Sequence, residues 1–338
     1  MAITIKDVAR EAGVSTSTVS KVLNNWSTIS PETVAHVNDI IKKLNYVPNS
    51  RAVSFAKGAT MNILFLASLE KEKAYSHPHM FDILCGAQKE LSSHNYTLTI
   101  TDIPRDEPIE EYLEKLSSLK IADGILIDGS AFTPKIAKPL ITTNFPHILI
   151  GHPNAGSRLC WIDTNNGLAG EFAARHMIDC GYSQVAFIGN VEKGYISTQR
   201  LNGFLGGMYE YGYRIPDEFI GYTKDTITDS CICTEQILSR KKLPHAIVCE
   251  NNTIALGAIR AIQERGLSMP NDIALLTFDS FPYSQIIDPQ PTIVDIDVYD
   301  LGVQAANMLL RKIANPSLLV QINTALPILK QGKTTSLV

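Results

Sequence analysis

Residues 14–24, Val14-Ser15-Thr16-Ser17-Thr18-Val19-Ser20-Lys21-Val22-Leu23-Asn24, line small hydrogen-bonding side chains and one lysine along a helix-length segment. Val19, Val22 and Leu23 recur at i, i+3 and i+4 and face inward, which turns Thr16, Ser17, Ser20, Lys21 and Asn24 outward. A rod clad so lightly fits the major groove of DNA, where donors, acceptors and thymine methyls are read. The competing reading is an ordinary helical domain with a solvated serine-rich face. Other chemistry is thin. No Gly-x-Gly-x-x-Gly or P-loop follows a strand-like run, and no nucleophile–base pair stands out. His77 and His79 lack a third ligand at metal-binding spacing. The cysteines, Cys85, Cys160, Cys180, Cys231, Cys233 and Cys249, form no C-x-x-C pair, and Cys85, Cys180 and Cys249 sit in apolar settings suited to buried thiols. No catalytic site, metal site or cofactor is expected.

The elements that must hold this face are legible on both sides of it. Ser15 reads as the N-cap of the DNA-reading helix, with Val14 placed to pack on Val19. Thr4-Ile5-Lys6-Asp7 resembles a capping box, followed by the stripe Ile5, Val8, Ala9 and Ala12, and Gly13 supplies the sharp turn. A third helix opens at Ser30-Pro31 and buries Val34, Val37, Ile40, Ile41 and Leu44. Residues 1–60 carry seven Lys and Arg against four Asp and Glu, a net of +3, which leaves −7 in the rest of a chain of net −4. A basic head on an acidic body suits phosphate contact at one end. Pro48-Asn49 then looks like a helix start, with Ala52, Phe55 and Ala56 on one face and Gly58 at the end. A helix that short does not stand alone in water. It forms against DNA or a twin with Phe55 as a minor-groove wedge, or it is a linker with Phe55 tucked on the body.

Residues 61–338 exceed one typical domain. Strand-like apolar runs at 62–67, 96–101, 124–128, 147–150, 184–188, 246–249 and 273–278 alternate with amphipathic stretches such as 80–94, 107–119, 167–180, 201–211 and 253–265. That alternation predicts parallel sheets, with ligands bound beyond the carboxyl ends of the strands.

The runs Thr4–Ala9, Ala12–Ser15, Thr18–Asn24 and Leu44–Asn49 closely resemble the LacI/GalR repressors. The resemblance continues through Asp163–Gly167, Arg200–Phe204, Pro244–Asn252 and Asp272–Asp279. It implies an N-terminal all-α helix-turn-helix domain (1–48), a hinge helix and linker (49–60), and an α/β periplasmic-binding-protein-like core of two doubly wound parallel-sheet lobes (61–338). The N-lobe is expected at about 61–160 and 291–322, the C-lobe at about 161–290 and 323–338. The implied DNA contacts are Thr4, Ser15, Thr16, Ser17, Thr18, Ser20, Lys21, Asn24, Tyr46, Asn49, Ala52 and Phe55. Val53 and Phe55 depart from the family's usual arginine and leucine.

The same resemblance puts an effector between the lobes, on Arg200, Asn251 and Asp279; Met80, in a loop that borders the family's pocket, and His152, just past a strand end, are further candidate contacts, with a structural histidine as the alternative for His152. An arginine fork, an amide and a carboxylate together suit a hydroxyl-bearing ligand. The alternative for Arg200 and Asp279 is a structural ion pair. His77-Pro78-His79-Met80 replaces the family's Asn-Pro-aromatic-aromatic run, and Asn252 and Ser280 replace common aspartates. A sugar or sugar phosphate is the expected effector. The partners implied are double-stranded operator DNA and a second copy of the chain, as a homodimer, with no membrane. The tail Lys330–Val338 carries no leucine heptads. The N-terminus reads as a charged amphipathic helix and no run reaches transmembrane length, so a cytoplasmic repressor of sugar-utilisation genes is expected. A solute-binding protein without DNA function explains the body alone, and an enzyme on a doubly wound fold is the third class.

Overall fold

The computed structural model describes residues 3–23, 26, 28–46, 59–69, 79–104, 108–153, 158–280 and 286–336. The chain divides into two compact units, Met1–Met61 and Asn62–Val338.

In the first unit, α1 (Ile5–Glu11), α2 (Thr16–Leu23) and α3 (Pro31–Lys43) close around Val8, Ala9, Ala12, Val19, Val22 and Val37. Each helix begins where its sequence signal lies. The Asp7 carboxylate accepts the Thr4 backbone N–H at 3.0 Å and its hydroxyl at 2.7 Å. The Ser15 hydroxyl accepts the Thr18 N–H at 3.0 Å, and the Ser30 hydroxyl accepts the Thr33 N–H at 3.3 Å. Gly13 turns the chain at φ +63°, a left-handed conformation that glycine adopts without steric cost. Tyr46 packs against this core.

The second unit contains two sheets of the same design. The first comprises β1 (Asn62–Ala67), β2 (Thr97–Asp102), β3 (Gly124–Asp128), β4 (His147–Ile150), β5 (Trp161–Thr164) and β11 (Ile322–Ala325), ordered β2-β1-β3-β4-β5-β11 with every pairing parallel. The second comprises β6 (Val185–Asn190), β7 (Ile220–Thr223), β8 (Ala246–Cys249), β9 (Ala274–Phe278), β10 (Thr292–Asp295) and β12 (Ile328–Lys330), ordered β7-β6-β8-β9-β10-β12. Only β12 is antiparallel to its neighbour among these strands. Helices cover both faces, so the central strands are buried throughout rather than on alternate residues. The strands at 161–164 and 322–325 belong to the first sheet and the one at 292–295 to the second. The chain therefore changes lobes after Thr164, Asp295 and Ala325, about four residues beyond the expected crossings, because each strand completes its ladder before the backbone leaves it.

Helices lock at matched glycines in both lobes. In the first, α4 (His79–Ser93) meets α11 (Val298–Ala314), where a Cβ on Gly86 would lie 2.0 Å from the Tyr299 carbonyl oxygen and one on Gly302 2.1 Å from that of Ile83. In the second, α7 (Asn166–Asp179) meets α8 (Tyr195–Glu210), where Gly203 would meet the Gly167 oxygen at 2.0 Å and Gly170 the Arg200 oxygen at 2.2 Å. The first lobe also carries α5 (Ile109–Ser118) and α6 (Pro134–Thr143), the second α9 (Ile227–Leu238) and α10 (Asn252–Glu264). Among the described residues, no helix is long and apolar enough to cross a membrane.

Candidate nucleic-acid interface and effector site

The small-residue face of α2 is where its spacing puts it. Val19 and Val22 are buried, while Thr4, Ser15, Thr16, Ser17 and Ser20 are exposed. Thr18 is half-buried, its hydroxyl 2.9 Å from that of Ser15, so it serves the helix start. Lys21 is half-buried as well, its ammonium 5.8 Å from the centroid of the exposed Trp26 ring. That contact holds the lysine at the carboxyl end of the face without spending its charge on a carboxylate. Trp26 is a feature the sequence reading passed over. A tryptophan 56% exposed on a small basic head is the signal that could have marked it. Asn24, Asn49, Ala52 and Phe55 lie outside the described residues, as does His77.

In the body, Arg200 and Asp279 meet as a buried bidentate pair. The Arg200 Nη1 and Nη2 donate to Asp279 Oδ2 and Oδ1 at 3.0 and 2.9 Å. Nε donates to the Asn166 side-chain oxygen at 3.0 Å, and Nη1 also to the Glu250 carbonyl oxygen at 2.8 Å. The guanidinium lies 4.6 Å from the Phe278 ring centroid. Arg200 thus ties together the starts of α7 and α8 and the ends of β8 and β9. Asp279 itself is at φ +66°, unusual for a residue with a side chain, and is fixed there by its N–H on the Val294 carbonyl and by Asn252 Nδ2 on its own carbonyl at 2.8 Å. The ion-pair alternative for these two residues is realised in this conformation.

Asn251 caps α10, its side-chain oxygen accepting the Ile254 N–H at 2.9 Å, which leaves its amide N–H₂ to offer a ligand. His152, just past β4, stacks on Tyr195 at the start of α8 with centroids 3.6 Å apart and planes 6° from parallel, and meets the Trp161 edge at 4.9 Å. This stack joins the lobes. Met80 is half-buried against the first lobe's apolar cluster, a packing position rather than a member of the group around Arg200.

Asp163, at the end of β5, was not expected as a site residue. It is buried, its Oδ1 accepts the Thr164 N–H at 2.7 Å, and its Oδ2 has no partner. Burial pushes its carboxyl above the ordinary range, while the Thr164 N–H and the nearby charges of Arg200 and His152 pull it back. The signal was available: an aspartate ending a buried strand at the carboxyl edge of a parallel sheet, where ligands bind. Among the described residues, no group of three His, Cys, Asp or Glu could hold a metal ion.

Two family models match the chain: bacterial regulatory proteins of the lacI family over residues 4–49, and the periplasmic binding protein-like domain over residues 174–335. Among curated proteins, the HTH-type transcriptional repressor PurR of Actinobacillus pleuropneumoniae serotype 3 (strain JL03) is 31% identical over 312 residues, covering 92% of this chain and 91% of that protein. PurR of Histophilus somni (strain 129Pt) is 30% identical over 336 residues, 98% and 99% of the two chains. Among solved structures, the lac repressor dimer bound to operator and the anti-inducer ONPF aligns with TM-score 0.75 at 21% identity over 99% of both chains. The transcriptional regulator CelR–cellobiose complex aligns with TM-score 0.71 at 22% identity, over 98% of this chain and 99% of that one. These two likenesses carry the fold.

Proposed function

Since the chain belongs to the LacI family and is a DNA-binding transcriptional repressor rather than an enzyme, we propose that it works in the cytoplasm as a homodimer on a near-palindromic operator. Its grip is released by a carbohydrate bound between the lobes of the core. The observation that carries the effector reading is the constellation at the carboxyl ends of both sheets. The Arg200–Asp279 pair, the unpartnered Asp163 oxygen and the Asn251 amide lie with the ring stack of His152 and Tyr195. Rings take the C–H face of a sugar, and carboxylate and amide groups take its hydroxyls. Arg200 is already matched by Asp279, and Asp163 adds a further carboxylate, so an unphosphorylated sugar suits this site better than a sugar phosphate.

Thr16, Ser17 and Lys21 read bases, Thr4, Ser15, Thr18, Ser20, Asn24, Tyr46 and Asn49 position the head on the backbone, and Ala52 and Phe55 enter the minor groove. Ligand between the lobes alters the spacing of the two hinge segments, and heads released from each other bind as weak independent units. This is a coupling free energy, typically about 1–3 kcal/mol, and operator must reciprocally change ligand affinity. In-vitro selection of the operator followed by gel-shift titration tests the proposal. A neutral sugar is expected to weaken the complex, and operator affinity is expected to fall steeply with salt. Tight calorimetric binding of only a purine base or an amino acid, or operator affinity indifferent to every ligand bound, overturns it.

A further inference from the structure

A cavity opens in the C-lobe beside α8, with a volume of about 200 Å³. By the volume water takes in the liquid, that is room for about six or seven molecules, the space of one small ring. Its floor is Phe187, Gly189 and Leu201; Tyr222 of β7 forms one wall, Glu250 and Ser197 another, and Lys193, Thr198 and Asn202 line the rim.

Two charges in this cavity are left apart. The Glu250 carboxylate belongs to a residue only 5% exposed. It accepts the Asn190 N–H at 2.7 Å and the Ser197 hydroxyl, and no cation among the described residues pairs with it. Gly189 makes room for it, since a Cβ there would come within 2.8 Å of Glu250 Oε2. The Lys193 ammonium rests 4.0 Å from the Tyr222 ring centroid instead of on the carboxylate, carried there by a left-handed backbone at φ +48°. A buried carboxylate with two neutral donors retains acceptor capacity, and burial makes unused capacity costly. The cavity also lies at the carboxyl ends of β6 and β8, between which the strand order of this sheet reverses, and open parallel sheets bind ligands there.

We propose that this cavity is a second binding site, separate from the cleft, for a neutral polyhydroxylated molecule of monosaccharide size. Hydroxyls donate to Glu250 and Ser197, Lys193 donates to a ring or hydroxyl oxygen, and the C–H face lies on Tyr222. The buried carboxylate excludes phosphorylated and carboxylated ligands. Occupancy reaches the cleft through one link: the Glu250 carbonyl accepts Nη1 of Arg200, the same nitrogen that holds Asp279.

The experiment titrates D-glucose and D-ribose into the full chain, with glucose 6-phosphate as the anionic control, and follows hydrogen exchange of residues 220–223. Thr198→Trp fills the rim without touching Glu250, Glu250→Gln removes the charge, and Asp279→Asn disables the cleft. The expected result is that one of the neutral sugars protects 220–223 in wild type and in Asp279→Asn. Its affinity then falls at least about tenfold in Thr198→Trp and in Glu250→Gln. The proposal is overturned if neither sugar protects 220–223, if Thr198→Trp binds as wild type, or if glucose 6-phosphate binds as well as glucose. Sugar binding that survives Thr198→Trp but disappears in Asp279→Asn belongs to the cleft and removes the second site alone. Thr198→Trp-sensitive binding with operator affinity unmoved by any sugar removes the effector reading alone.

Discussion

Replacing Arg200 by methionine should cost the body several kcal/mol and deafen it to effector in the same step. The guanidinium makes four hydrogen bonds to three partners, two of them to one carboxylate, and its residue is 4% exposed. Methionine fills much of the volume but leaves Asp279 buried without its counter-charge. Breaking a buried pair from one side costs about 3–5 kcal/mol, whereas neutralising both sides is often tolerated. Asparagine is the partner substitution of choice at 279, because it accepts the left-handed backbone there. A cycle of Arg200→Met, Asp279→Asn and the double variant, followed by urea unfolding of the full chain, should give a coupling of at least about 2 kcal/mol, with the double variant less unstable than the sum of the singles. In thermal melts the single Arg200→Met loss corresponds to roughly 6–20 °C. Operator binding of the folded fraction should persist. If the single variants each cost under about 1 kcal/mol and add independently, the pair is not formed in solution, and Arg200 stands ready for a ligand instead of holding the lobe together.

Gly203→Ala should lower the urea midpoint, because its methyl would come within 2.0 Å of the Gly167 carbonyl oxygen and push α8, with Arg200, off α7; an overpacking cost of about 1–3 kcal/mol is expected, together with weaker effector binding by calorimetry. Acidification should destabilise the body below the ordinary histidine value of 6.5. Burial holds His147 and His176 below it, so both contribute stability at neutral pH that is lost as pH falls through their depressed values. Melting temperature against pH checks this, and His147→Gln should flatten the acid limb, since in the native state Nδ1 donates to the Phe145 carbonyl at 2.7 Å while Nε2 accepts the Cys160 N–H at 3.3 Å. Thr16→Ala or Ser17→Ala should relax preference at individual operator base pairs by about 1–3 kcal/mol, measured by selection from randomised duplexes, while head stability stays unchanged.

Strong periodicity made much of the fold legible in the amino-acid sequence. The strands at 62–67, 124–128, 147–150 and 246–249 coincide with their apolar runs, because sheets covered on both faces require continuous apolar stretches. The head was readable to its caps for a similar reason: capping depends on residue type within three positions. Helix α8 begins six residues before the expected 201, since Tyr195-Ile196-Ser197-Thr198-Gln199 carries no apolar stripe. Helix α6 has prolines at 134 and 139, which read as breaks, though the first is at the permitted N-terminal position. Strand β7 is only Ile-Gly-Tyr-Thr, an edge with little to bury. The expected elements also omit α11, although Leu301, Ala305, Met308 and Leu309 repeat as regularly as any stripe in the chain.

The site divides along the same line. Arg200 and Asp279 were recognisable as residue types on matching motifs, but that they already satisfy one another depends on a helix and a strand end 79 residues apart. Asp163 and Glu250 carry the least expected geometry, one an oxygen with no donor and the other a carboxylate that no cation among the described residues pairs with. A place at the end of a strand is the one local mark either acid carries in the sequence; the missing donor and the missing cation are set by packing between elements far apart in the chain.

Because the chain passes between the lobes after Thr164, Asp295 and Ala325, neither sheet is whole until synthesis is almost over. The first lobe waits for α11 and for its edge strand at 322–325; the second waits for the strand at 328–330 and for Thr335, whose hydroxyl meets His176 at 2.8 Å. A ribosome therefore carries two unfinished sandwiches side by side for most of translation, and a stop codon anywhere before about residue 320 spoils both at once. The head has no such debt: it is complete by residue 46 and can condense while the remainder is still being read.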